Sequence, residues 1–111
     1  AATFGRQTRE IVTNPANLKS FPKFKLSQES RAVDFWKTVE GGAYYAVGMG
    51  GTTTGRGANI LIVDDPYKTR EEADSTVKRN KIWDFYTASL LTRMQPHRNG
   101  KPPILIVTHT R

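Results

Sequence analysis

The sequence predicts an α/β fold with a mostly parallel sheet. Three observations carry this expectation: two short apolar runs, at residues 60–63 and 104–107, and one long helical pattern between them, at residues 70–91. Runs of β-branched residues and leucine with this length are typical of strands buried on both faces of a parallel sheet. The order strand, helix, strand then implies a right-handed crossover between two parallel neighbours.

The first part of the chain predicts a helix over residues 4–12. The side chains that fall on one face of this helix are mostly apolar: Phe4, Thr8, Ile11 and Val12. Asn14-Pro15 follows at once, and proline commonly marks a helix boundary, so we expect the helix to end there. The aromatic residues of the predicted regular elements are expected in the core rather than on a base-stacking surface. They are Trp36, Tyr44, Tyr45 and Trp83.

The next segment predicts extended structure and a β-hairpin excursion. Residues 19–26 alternate basic and apolar side chains around Pro22, a pattern that suits an edge strand or an extended loop. Residues 32–39 and 43–48 are rich in aromatic and β-branched side chains, and Glu-Gly-Gly between them supplies a turn. This arrangement predicts two antiparallel strands joined by a short connection.

A glycine-rich loop over residues 48–57 separates the hairpin from the first apolar run. Gly50 and Gly55 are separated by four residues, as in a phosphate-binding loop. That loop requires Lys and then Ser or Thr after the second glycine, and a helix must follow it. Here Arg56 follows Gly55, and a predicted strand comes next. We therefore reject a phosphate-binding loop in this segment.

The long helix predicted over residues 70–91 has an approximate apolar stripe of Ala73, Val77, Trp83, Tyr86 and Leu90. Three acids lie near its amino end, where the helix dipole favours negative charge: Glu71, Glu72 and Asp74. Residues 95–103 contain Pro, Asn and Gly, and they are expected to end the helix before the second apolar run.

Two adjacent carboxylates end the first apolar run, at Asp64-Asp65-Pro66, and Thr108 ends the second. The carboxyl ends of parallel strands lie at one edge of a sheet, so we expect these polar groups to face a common crevice. Paired carboxylates are costly without a positive partner, and a magnesium ion with a nucleotide is the leading candidate. The alternative is a simple polar turn, since Asp and Pro are common turn residues.

Composition favours a polyanionic partner. The chain has 17 Lys and Arg against 10 Asp and Glu, a formal charge of +7, which attracts phosphate backbones. The absence of cysteine excludes disulfides and cysteine zinc sites. No apolar run is long enough to predict a membrane span. The basic residues that interleave with aromatic ones are candidates for DNA contact, although solvated lysines are a common alternative: Lys19, Lys23, Lys25, Arg93, Arg98 and Lys101.

Several blocks of the sequence, in order, resemble the terminase large subunit, the ATPase motor that packages DNA into tailed-phage heads. The central block, Leu61-Ile62-Val63-Asp64-Asp65-Pro66, resembles its Walker B motif, and the segment after residue 107 resembles its coupling motif. The other blocks are Phe4-Gly5-Arg6 with Arg9, Phe21-Pro22 and Leu26-Ser27, Trp36 with Gly41-Gly42-Ala43-Tyr44, Thr54-Gly55-Arg56-Gly57-Ala58, Lys68 with Arg70-Glu71-Glu72-Ala73, Ile82-Trp83 with Tyr86, and Leu91-Thr92-Arg93.

The resemblance implies a role for each matched residue. Asp64 would coordinate Mg²⁺, and Asp65 would polarise the attacking water, so both would bind the ATP and Mg²⁺ cofactors. Many terminases have Glu in the second place, and Asp is one methylene shorter. Arg56 would be offered to the ATP of a neighbouring subunit, where its fixed charge suits a developing phosphoryl charge. Thr108 and Thr110 are both candidates for the coupling threonine.

The resemblance also implies the setting of these residues. Residues 1–111 would be part of a RecA-like P-loop NTPase domain, with the Walker A loop and the nuclease domain elsewhere in a larger protein. The segment alone is then expected not to hydrolyse ATP. Double-stranded DNA, the portal and the small terminase subunit would be partners of a homo-oligomeric ring in the host cell cytoplasm.

Two rival interpretations are a non-catalytic basic nucleic-acid-binding module and a carboxylate metal nuclease that uses Asp64 with Asp65. Adjacent strand residues point to opposite faces, which argues against the nuclease unless the strand has already ended. His97 and His109 are expected to make ordinary surface or polar contacts.

Overall fold

A computed structural model describes residues 2–53 and 55–109 of the chain. The architecture is mixed α/β, with one antiparallel sheet of three strands and one parallel sheet of two. The chain divides into two compact units, Ala1–Gly48 and Met49–Arg111. Each unit contains one of the sheets, and the two are described separately.

The first unit contains two helices followed by the antiparallel sheet. Its elements are α1 (Ala2–Thr13), α2 (Pro15–Ser20), β1 (Leu26–Arg31), β2 (Phe35–Thr38) and β3 (Ala43–Tyr45). The strand order is β1-β2-β3, and Trp36 of β2 lies opposite Tyr44 of β3. The predicted helix before Asn14 and the predicted hairpin are therefore confirmed.

The second short helix, α2, was not predicted, because Asn14-Pro15 was expected only to end α1 and not to start another helix. The Asn14 side chain accepts a hydrogen bond from the Ala16 backbone N–H at 2.9 Å, and Pro15 occupies the first helical turn. Asparagine at the cap and proline just inside a helix are the preferred residues at those positions. Of the two alternatives expected over residues 19–26, the edge strand is wrong, because α2 runs to Ser20 and β1 begins at Leu26; residues 21–25 between them form a loop.

The core of the first unit is centred on Trp36, which is 5% exposed. Tyr44 stacks on it with ring centroids 5.0 Å apart, and Phe24 meets it edge-on at 6.4 Å. These geometries are favourable for aromatic pairs. Trp36 thus lies in the core as expected, whereas Tyr45 on the same strand pair is exposed.

In α1 the buried residue is Gly5, which does not belong to the predicted apolar face. Phe4 and Ile11 are exposed, whereas Gly5 is buried. A Cβ atom at Gly5 would lie 1.9 Å from the Val33 carbonyl oxygen. The helix can therefore approach the chain around Val33 only because residue 5 has no side chain.

The second unit contains the parallel strand pair and the helical segment between its strands. Its elements are β4 (Ile60–Asp64), α3 (Arg70–Asp74), α4 (Thr76–Phe85) and β5 (Ile104–Thr108), and a π-helical turn (Tyr86–Leu90) and a 3₁₀ turn (Leu91–Arg93) follow α4. The strands pair in parallel, from Ile60 with Ile104 to Asp64 with Thr108. The predicted strand, helix, strand order and the parallel pairing are confirmed.

The single helix expected over residues 70–91 is wrong, because Ser75 interrupts it. Ser75 has an extended backbone with φ −77° and ψ 115°, and its side chain caps α4 by accepting from the Lys78 N–H. Arg79 donates to the carbonyls of Ala73 and Asp74 at 2.8 and 2.9 Å. Serine prefers caps to helix interiors because its hydroxyl competes for backbone groups. The break is therefore stabilised on both sides.

The expectation that both apolar strands are buried on both faces is also wrong. Every residue of β5 is exposed, and Ile60 and Ile62 of β4 are more than half exposed. Within the described part of this unit, the buried apolar residues are Val63 and Leu90, each 6% exposed. Trp83, expected in the core, is 63% exposed. Parallel strands are usually covered on both faces, and the described residues cover this pair mainly at Val63.

Candidate functional site

The candidate site lies where β4 and β5 end. Asp64 is the last residue of β4 and pairs with Thr108, the last residue of β5. The Thr108 hydroxyl donates a short hydrogen bond to Oδ1 of Asp64. The expected adjacency of the two strand ends is therefore confirmed, and the hydroxyl and the carboxylate are in direct contact.

Asp64 keeps the properties that a cation ligand needs. Its side chain is exposed, and the ion pairs between described residues do not include it. The Thr108 hydroxyl engages one carboxylate oxygen, which restricts the rotation of the side chain. A hydrogen bond from a neighbouring group commonly orients a carboxylate ligand in this way.

Asp65 has left the strand and adopts a left-handed backbone, with φ 43°. Its N–H donates to the Thr108 carbonyl at 3.2 Å, so the backbone remains attached to the end of β5. Asp is among the few residues other than glycine that tolerate this conformation. Because β4 ends at Asp64, the rule that neighbouring strand residues point to opposite faces does not apply to Asp65.

An aromatic pair follows the two strand ends. Tyr67 comes two residues after Asp65, His109 directly follows Thr108, and their ring centroids are 5.8 Å apart at an angle of 42°. His109 is exposed and makes a ring contact, in keeping with the surface or polar contact expected for it. Tyr67 was not among the predicted site residues. Its position just after Asp64-Asp65-Pro66 was the available signal.

The chain beyond Tyr67 is fixed by the start of α3. The Thr69 hydroxyl accepts from the Glu72 N–H at 3.2 Å, and Glu72 accepts from the Lys68 N–H at 3.0 Å. This resembles a capping box, in which side chains satisfy the first N–H groups of a helix. The loop between β4 and α3 is therefore held at both ends, by Thr108 and by Glu72.

Arg56 lies near the opposite end of β4 from Asp64. Ala58 and Asn59 hydrogen-bond with the chain at Arg93, Gln95 and Ile104, and they precede the first residue of the strand. The five residues of β4 span about 13 Å at the usual rise of a strand. Arg56 is two residues before Ala58 and is exposed. Arg56 therefore lies before the amino end of β4, whereas Asp64 and Asp65 lie at its carboxyl end.

The remaining predicted residues are placed as follows. Thr110, the second candidate coupling threonine, lies outside the described residues. The predicted DNA contacts fall in both units: Lys23 and Lys25 between α2 and β1, and Arg93, Arg98 and Lys101 in the segment before β5. In that segment a turn joins the His97 N–H to the Lys101 carbonyl at 2.9 Å, and Arg98 is exposed within it.

The carboxylates near Asp64 are too few for a cage built from protein ligands alone. Among residues 2–53 and 55–109, no group of three or more His, Cys, Asp or Glu side chains is arranged to hold a metal ion. Magnesium is commonly held by one or two carboxylates together with substrate phosphates and water. The donor set of Asp64 with Asp65 fits that second mode.

A comparison with models of known protein families and a comparison with curated proteins both find no match for the chain. The helices within the described part of the chain include none that is long and apolar enough to cross a membrane.

Proposed function

We propose that residues 1–111 are part of the ATPase domain of a phage terminase large subunit, with a RecA-like P-loop NTPase fold. The protein would hydrolyse ATP and move double-stranded DNA into the procapsid. The observation that supports this proposal is the hydrogen bond between Thr108 and Asp64 at the carboxyl ends of two parallel strands. Ligands of open parallel sheets bind at this edge.

In this proposal each residue at the strand ends has a separate task. Asp64 holds Mg²⁺, and Asp65 orients the attacking water. Thr108 fixes the rotamer of Asp64 and links it to β5. When bound, Mg²⁺ would neutralise charge on the phosphates of ATP. The exposed carboxylate and the oxygen-only donors suit this hard cation.

The position of Arg56 is compatible with action on a neighbouring subunit. It lies before the amino end of β4, whereas the carboxylates lie after the carboxyl end. An arginine supplied from another subunit can stabilise the charge that develops on a transferred phosphoryl group. The proposal therefore includes a homo-oligomeric ring, with DNA, the portal and the small terminase subunit as partners in the host cytoplasm.

The decisive experiment measures ATP hydrolysis by the parent terminase with Asp64→Asn. We expect turnover to fall by at least about a hundredfold, because a metal ligand is lost. Glu71→Gln is the matched control, since Glu71 is an exposed carboxylate in the first turn of α3. Normal turnover in Asp64→Asn would refute the proposal.

A mixing experiment tests the role of Arg56. Arg56→Ala is expected to retain nucleotide binding but to lose hydrolysis. Mixing it with Asp64→Asn subunits should restore part of the activity, because each variant supplies what the other lacks. Failure of all mixtures, with rings assembled normally, would contradict the action of Arg56 on a neighbouring subunit.

The two rival functions make different predictions. A carboxylate nuclease acting through two metal ions needs more ligands than the described residues gather at Asp64 and Asp65. A basic nucleic-acid-binding module would bind DNA in a salt-sensitive way, ignore Mg-ATP, and be unaffected by Asp64→Asn. DNA binding and its response to Mg-ATP, both measured on Asp64→Asn, separate this module from the motor.

A further inference from the structure

The surface of the first unit contains a cleft of about 490 Å³. It lies between α1, α2 and β1, and both basic and apolar side chains line it. The basic ones are Arg9, Lys25 and Arg31, and the apolar ones are Leu18, Phe24 and Leu26. No carboxylate is among the described residues that line this cleft.

Hydrogen bonds to the backbone hold the two guanidinium groups of the cleft in place. Arg9 donates through Nη1 to the Arg31 carbonyl and, at 3.5 Å, to the Ala32 carbonyl. Arg31 donates through Nε to the Ser27 carbonyl at 3.2 Å. Ion pairs between described residues include none of the three basic residues of the cleft. The backbone therefore orients the two guanidinium groups, and their charge remains available to a ligand.

The size and the mixed lining of the cleft determine what fits it. A volume of about 490 Å³ is within the range of pockets that take a small ligand or a few side chains. A DNA duplex presents phosphates on a wide rigid rod, so it would pair with the basic residues and leave Leu18, Phe24 and Leu26 uncovered. A peptide with apolar side chains between carboxylates satisfies both parts of the lining.

We propose that this cleft docks a short acidic, amphipathic segment of a partner protein. Its carboxylates pair with Lys25 and the two arginines, and its apolar side chains cover the leucines and Phe24. Charge complementarity of this kind raises the association rate and selects the partner. The inference stands on the first unit alone and does not depend on the ATPase proposal.

The test uses the 111-residue chain and a fluorescein-labelled peptide, Glu-Leu-Glu-Phe-Glu-Leu-Glu, with fluorescence anisotropy as the readout. We expect Lys25→Glu and Arg31→Glu each to weaken binding by about tenfold or more at low salt. Lys81→Glu makes the same change of net charge on the exposed face of α4, and it should alter binding by less than about twofold. Circular dichroism checks that each variant is folded.

A second peptide, with Ser in place of Leu and Phe, tests the apolar half of the cleft. It keeps all four carboxylates, and we expect it to bind about tenfold more weakly than the first peptide. The proposal fails if the first peptide does not bind, if Lys25→Glu and Arg31→Glu bind it normally, or if the serine peptide binds equally well. Displacement of the first peptide by duplex DNA, dependent on Lys25 and Arg31, would instead make the cleft a nucleic-acid site.

Discussion

The two sheets of this chain differ in how much of their apolar surface is covered. The antiparallel sheet β1–β3 buries Trp36 beneath Tyr44 and Phe24. The parallel pair β4–β5 has a regular register, yet all of β5 is exposed. An antiparallel sheet needs cover on one face only, whereas parallel strands are usually covered on both. The pairing of strands and the burial of strands are therefore separate properties. The candidate site depends on the first more than on the second.

The largest expected difference between the two units comes from their tryptophans. Trp36→Ala should lower the free energy of unfolding by about 3–5 kcal/mol, because a buried aromatic ring leaves a cavity. Trp83→Ala should cost less than about 1 kcal/mol, since Trp83 is 63% exposed. Urea denaturation followed by far-UV circular dichroism measures both. Equal losses would mean that the core of the first unit is not centred on Trp36.

A glycine substitution tests how closely the first unit is packed. Gly5→Ala would usually stabilise a helix by about 1 kcal/mol, but here the new Cβ would lie 1.9 Å from the Val33 carbonyl oxygen. We therefore expect a loss of about 1–3 kcal/mol, the usual cost of overpacking. Gly48→Ala is the control, because no neighbouring atom lies within 4 Å of its added Cβ. A stabilised Gly5→Ala chain would contradict the close approach of α1.

Two paired valines sharpen the comparison within the parallel sheet. Val63 and Val107 lie opposite each other in register, but Val63 is 6% exposed and Val107 is 53% exposed. Replacing valine with threonine keeps the shape and adds a hydroxyl. Val63→Thr should cost about 1–2 kcal/mol because the hydroxyl is buried, and Val107→Thr should be within about 0.5 kcal/mol of the parent chain. Thermal unfolding distinguishes the two, and equal costs would show that β5 is covered in solution.

Only a small change in stability is expected at the candidate site. Thr108→Val removes the hydroxyl that donates to Asp64 and should cost less than about 1 kcal/mol, since the pair is exposed. If Asp64 holds a divalent cation as proposed, Thr108→Val should weaken cation binding more than it lowers stability, because the orientation of Asp64 is lost. Paramagnetic broadening by Mn²⁺ of the Asp64 amide signal measures this, and Thr108→Ser should retain the broadening of the parent chain. Identical broadening in Thr108→Val would rule out Thr108 as a positioning residue.

Sequence patterns predicted the parallel pair and its ends because the signals were local and strong. Residues 60–63 and 104–107 are uninterrupted β-branched and leucine runs, and the polar residues that follow them come from the same register. The hairpin was predicted for a similar reason. The strand β1 was missed because Leu26–Arg31 is polar apart from its first residue, and an edge strand can be held by backbone pairing alone.

The rest of the architecture depended on competition between local signals and on tertiary contacts. Ser75 lies within a pattern that predicts one helix, and its role as a cap became visible only with Lys78 and Arg79 in place. The aromatic contact between Tyr67 and His109 joins residues far apart in the chain, and periodicity does not report such contacts. Burial of a strand likewise depends on what covers it, so the exposure of β5 could not be read from its apolar side chains.

The left-handed backbone at Asp65 links the identity of the second acid to the path of the main chain. Asp and Asn adopt a positive φ more readily than Glu does. An Asp65→Glu exchange would therefore extend the carboxylate by one methylene and at the same time strain the turn that leads into Pro66. Asp65→Asn would preserve the turn and discard the charge. A longer acid at this position would extend the carboxylate but raise the conformational energy of the loop. Asp, the shorter acid, fits the left-handed backbone at the expense of that extension.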